Sequence, residues 1–70
     1  MEELIRRWET LGRNGVIVSI CYGWTRGGLA FSVFAAARGQ EFEKPFTAHS
    51  FKHAVEIAET ESFKRGWVAN

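Results

Sequence analysis

Residues Val16–Arg38 read VIVSICYGW, then TRGG, then LAFSVFAAAR, and this stretch decides the fold. Val16–Trp24 is β-branched or aromatic along most of its length, which suits a pleated, half-buried strand. Thr25-Arg26-Gly27-Gly28 is a turn, and Leu29–Arg38 is a second strand, apolar on both faces. With the turn at Arg26-Gly27, Trp24 faces Leu29, Tyr22 faces Phe31, Ile20 faces Val33 and Val18 faces Ala35. All of these side chains then lie on one side.

Gly39-Gln40 reads as the next turn, and Glu41–Ala48 as a third, alternating strand. In that register Ala37 faces Phe42, Val33 faces Phe46 and Phe31 faces Ala48, on the same side again. A one-residue slip in either hairpin scatters these sets over both faces. Their agreement predicts a three-stranded antiparallel meander with Leu29–Arg38 in the middle. Pro45 has no N–H for a ladder, which puts the third strand at an edge. Lys44 falls on the core side, where its stem can lie along apolar surface while the ammonium reaches water.

Helices flank the meander. Leu4, Trp8 and Leu11, widened by Ile5, give Glu2–Leu11 an apolar stripe at helical spacing, and Gly12 and Asn14-Gly15 end it. Thr47 or Ser50 caps a second helix running to about Lys64, with Phe51, Ala54, Val55 and Ala58 as its buried stripe. Gly66 ends that helix and lets Trp67 fold back. Both stripes have one apolar sheet face on which to dock. The fold class is α+β, helix–strand–strand–strand–helix, with both helices on one face and residues 1–70 as a single domain.

Composition narrows the function. At 70 residues the chain is near the lower limit for folding without staples, and one cysteine, Cys21, cannot close an internal disulfide. The core must come from ten aromatic residues: three Trp, one Tyr and six Phe. The net charge of +1 lacks the basic excess of a dedicated nucleic-acid binder and the acidity of a DNA mimic. No signal peptide or membrane-length apolar run is visible, and a lone cysteine suits a reducing compartment, so a cytoplasmic location is expected.

The sheet face away from the helices holds Ile17, Ser19, Cys21 and Gly23, then Ala30, Ser32, Phe34, Ala36 and Arg38, then Glu41, Glu43, Pro45 and Thr47. It is smooth and fairly apolar, with Phe34 near its middle. Such a face meets a protein partner or a second copy, or simply stays in water. The partner-binding residues expected there are Ile17, Phe34, Arg38, Glu41 and Glu43. Arg26 at the hairpin tip joins them, because loops on rigid scaffolds carry contacts. A homodimer through this open face is one arrangement.

Catalytic constellations are thin. His49 and His53 have i, i+4 spacing, but no third metal ligand stands out. Cys21 falls on the far side of the sheet from both, which separates a nucleophile from its base. Glu56, Glu59 and Glu61 line the polar side of a helix. No acid, base and pocket assemble, so the chain is expected not to be an enzyme, and no cofactor or metal is expected.

The element order resembles the double-stranded-RNA-binding domain over the whole chain. That family's last helix opens with a motif like Ser-Lys-Lys-x-Ala-Lys; here Ser50-Phe51-Lys52-His53-Ala54-Val55 keeps the serine, one lysine and the alanine. The resemblance implies RNA contact through the first helix, the first hairpin loop and the start of the last helix. Two of the motif's lysines and the family's Gly-Pro-x-His hairpin signature are absent, so tight nucleic-acid binding is not expected. By size and by its lack of a catalytic site, the chain also resembles phage-encoded inhibitors such as anti-CRISPR proteins, which act by covering a surface of a host complex. The leading expectation is a stoichiometric protein-binding module, as an adaptor or a phage-type inhibitor of a host defence complex. The alternative is a nucleic-acid-binding domain.

Overall fold

The first hairpin forms in the register expected for it. In the computed structural model, which describes residues 1–69, β1 (Ile17–Thr25) pairs antiparallel with β2 (Gly28–Ala37), matching Trp24 with Leu29, Tyr22 with Phe31, Ile20 with Val33 and Val18 with Ala35. The Thr25 hydroxyl donates to the Gly28 carbonyl at 2.8 Å and accepts from the Gly27 amide at 3.2 Å, so the turn is tied by its own side chain.

The third strand departs from expectation in an instructive way. It is split into β3 (Gln40–Glu41) and β4 (Phe46–Ala48), both paired with β2. The second turn sits at Arg38-Gly39, one residue earlier than Gly39-Gln40, and pairs Ala37 with Gln40 and Ala36 with Glu41. Arg38 and Gly39 both have positive φ, 53° and 75°, the conformation of a two-residue turn that matches strand twist. Beyond it, Val33 pairs with Phe46 and Phe31 with Ala48, as expected. The intervening Phe42–Pro45 segment absorbs a two-residue surplus, and Lys44 is exposed within it. An even surplus preserves the alternation, so Phe42, whose amide donates to the Ala35 carbonyl at 3.0 Å, still delivers its ring to the core.

Both helices pack on one side of this sheet. Helix α1 (Glu2–Arg13) runs through Gly12 and ends at Asn14-Gly15, where Gly15 takes a φ of 83°. Helix α2 (Phe51–Lys64) starts at Ser50, whose hydroxyl accepts from the His53 amide at 3.0 Å. Trp8 of α1 lies 5.7 Å from Phe51 of α2, and Phe51 lies 6.3 Å from Phe31 of β2. Arg7 and Glu59 close a two-point ion pair between the helices, at 2.6 and 3.0 Å. The same hydrogen bonds raise the Arg7 guanidinium above its ordinary pKa; partial loss of water opposes the shift and the Glu59 charge assists it.

The buried core is concentrated at the end of the sheet away from the first turn: Leu11, Val16, Val33, Ala35, Phe42, Ala54, Ala58 and Trp67. Gly66, at φ 73°, turns the chain after α2, and Trp67 folds back to stack on Phe42 at 5.9 Å. Its indole N–H donates to Gln40 at 3.0 Å, satisfying the one polar atom that burial would leave unpaired. The expected stripes hold in part. Val33, Val55 and Ala58 are buried, whereas Trp8, Ile20, Phe31 and Phe51 are half-buried and Ile5 is exposed.

Two stability effects follow. Trp8→Ala is expected to cost about 2–3 kcal/mol, less than the ~3–5 of a fully buried tryptophan, as read by urea unfolding. Ser62 is fully buried and its hydroxyl has no hydrogen-bond partner. Ser62→Ala is therefore expected to raise stability by about 1 kcal/mol in the same assay, because it removes an unsatisfied buried polar group.

Candidate protein-interaction surface

With α1, α2 and Trp67 all on one side, no helix among the described residues covers the opposite sheet face, although Ala30 on it is buried. Strand alternation places Ile17, Ser19 and Cys21 of β1 there, beside Ser32, Phe34 and Ala36 of β2. Ile17 is 76% exposed, and Phe34 and Ala36 are half-buried. Phe34 is not purely a surface residue: its ring meets Phe42 edge-on at 6.1 Å where the split third strand opens the sheet edge. Cys21 is exposed.

Four of the six expected contact residues gather at one end of this face. Ile17 pairs with Ala36, Ala36 pairs with Glu41, and a shallow pocket is lined by Ile17, Ala36, Arg38 and Glu41. Phe34 lies two positions along β2 from Ala36. Arg38, in the turn at this end, makes a long hydrogen bond, 3.4 Å, to the Asn14 carbonyl at the end of α1. Glu43 is exposed in the Phe42–Pro45 segment next to it. Arg26 does not join them. It sits at the far tip of a nine-residue strand, roughly 30 Å away.

The basic residues are dispersed. Arg7 is engaged with Glu59, Lys64 and Arg65 with Glu61, and Arg65 also lies 4.7 Å over the Phe42 ring. His49 and His53 stack at 6.2 Å, and among the described residues no group of three His, Cys, Asp or Glu side chains is placed to hold a metal ion. No helix among those residues is long and apolar enough to cross a membrane.

One surface escaped the sequence reading. Tyr22, Trp24 and Leu29 fall on the helix side as expected, yet they are 60%, 82% and 52% exposed. The signal that reveals this is length. Helices of 12 and 14 residues span about 18 and 21 Å, whereas strands of 9 and 10 residues span about 30 Å. The hairpin must outrun its cover, and its tip carries the uncovered aromatics. No family model, curated protein or solved structure matches the chain.

The two apolar residues of the open face should respond differently to a charge. Ile17→Asp is expected to leave the thermal midpoint nearly unchanged. Phe34→Asp should lower it clearly, because one edge of that ring packs on Phe42. Circular dichroism melts of the two variants check this ordering.

Proposed function

We propose that this chain is a non-enzymatic protein-binding module whose open sheet face seats a protein partner, acting stoichiometrically by covering or bridging a surface. The observation that carries this reading is the partly exposed apolar strip of Ile17, Phe34 and Ala36, bordered by Arg38, Glu41 and Glu43. An apolar centre with a charged rim is the usual construction of a protein interface. A rigid sheet supplies it without an ordering cost on binding. We include in this reading the occlusion of a host defence complex by a phage-type inhibitor, in the manner of anti-CRISPR proteins, since covering a surface needs no catalytic site.

The nucleic-acid alternative rests on the element order shared with double-stranded-RNA-binding domains. It needs Arg6, Arg7, Arg26, Lys52 and Lys64 as one basic surface. Arg7 and Lys64 are instead paired with glutamates, which favours the protein reading.

A photo-crosslinking residue at Ile17, in cells that produce the protein, is expected to trap a discrete protein adduct. The same residue at Lys52 on α2 is expected to trap none. Duplex RNA at physiological salt should bind no tighter than the roughly 10⁻⁴–10⁻⁶ M of non-specific contact, read by fluorescence anisotropy. Nanomolar RNA affinity, or an adduct from Lys52 but not Ile17, overturns the proposal.

A further inference from the structure

The two edges of the sheet are built differently. The β3/β4 edge is broken into strands of two and three residues and carries Glu41, Glu43, Lys44 and Pro45. Short strands, charges, proline and an irregular segment are the devices that block edge-to-edge pairing. The β1 edge has none of them. Its nine residues, Ile17–Thr25, form one unbroken strand with no charge and no proline.

The backbone groups on that edge can be assigned. Thr25 and Gly28 close the two-residue turn as a hydrogen-bonded pair, so alternate residues of β1 bond to β2 and the others point away. The outward set is Val18, Ile20, Tyr22 and Trp24. The Trp8 indole confirms the phase, because it donates to the outward Val18 carbonyl at 3.1 Å. Among the described residues, no other side-chain or loop hydrogen bond reaches the N–H or C=O of Ile20, Tyr22 or Trp24. These three are an open strand template, and Tyr22 is their midpoint.

We infer that this edge pairs with the β1 edge of a second copy, antiparallel, about a two-fold axis at Tyr22. That register uses the outward groups of all three residues: Tyr22 meets Tyr22 of the other copy, and Ile20 meets Trp24. No like charges oppose each other, because the strand is uncharged. Two features beyond the backbone fit a second copy. Trp24 and Tyr22 project from the uncovered tip on the helix side. At the other end of the same edge, on the same side, α1 and β1 leave an apolar groove lined by Ile5, Trp8, Val16 and Val18. The antiparallel register carries the Trp24 of each copy to Ile20 of the other, at the mouth of that groove. Tyr22, Trp24, Ile5 and the strand edge together offer on the order of 500–600 Å² per copy, near the lower end for a stable interface. Tryptophan and tyrosine are also the residues that most often dominate such contacts. The open faces of the two copies then form one continuous surface. The inference does not depend on what that face binds.

Sedimentation velocity on the wild-type protein over a concentration series is expected to show a monomer–dimer equilibrium. Tyr22→Lys and Tyr22→Glu should each weaken dimerisation at least tenfold, since the axis sets two like charges side by side. An equimolar mixture of the two should recover the dimer as a heterodimer. Trp24→Lys, at the more exposed position, should also weaken it at least tenfold, and circular dichroism reports that each variant is folded. A wild-type protein that stays monomeric at millimolar concentration overturns the inference. So does a dimer that survives both Tyr22→Lys and Trp24→Lys, which places the contact away from the β1 edge.

Discussion

The alternation shared by β1 and β2 is the constraint from which the rest of the molecule follows. Pairing Trp24 with Leu29 commits Val18 and Ile20, and then Phe31, Val33, Ala35 and Ala37, to one side. On that side α1 and α2 meet and join through Trp8–Phe51 and Arg7–Glu59. Trp67 closes the same layer from the C-terminal end by stacking on Phe42. Both helices of the described residues lie on the apolar side, which leaves the other face without a helix against it.

Alternation also explains which parts of the fold were legible in the sequence. The first turn has two glycines and strong strands on both sides, and its register was fully readable. At the second turn, Gly39-Gln40 and Arg38-Gly39 compete with one glycine each, and the structure takes the latter, with positive φ at both central positions. Arginine is not the residue that usually signals such a turn, so nothing local marked it. The error stayed harmless to the core assignment, because the surplus in Phe42–Pro45 is an even number of residues and Phe42 keeps its side. A surplus of one would have turned that ring outward.

The candidate surface was legible unevenly for a similar reason. Alternation places Ile17, Phe34, Arg38 and Glu41 on the open face, and local pairing with Ala36 brings three of them to one pocket. Arg26 shares with them only a position outside the core, and strand length carries it to the far end. The aromatic tip is not legible from alternation, which says which side a residue faces and not whether anything covers it there. Comparing the rise of a helix with that of a strand supplies the missing half: a residue in a helix advances less than half as far as one in a strand.

That mismatch connects the fold to its undefended edge. A helix long enough to span the hairpin would bury Tyr22 and Trp24 and would sit over the outer side of β1. With shorter helices, only Trp8 reaches the strand's outer groups, and it satisfies a single carbonyl. The exposed aromatics and the unpaired backbone of Ile20, Tyr22 and Trp24 therefore share one cause and occupy one place. Unprotected edges of uncharged, β-prone sequence are hazardous, because any extended chain can add to them. Pairing with a copy of itself removes the hazard without adding charge to the strand, and it leaves the open face free for another protein.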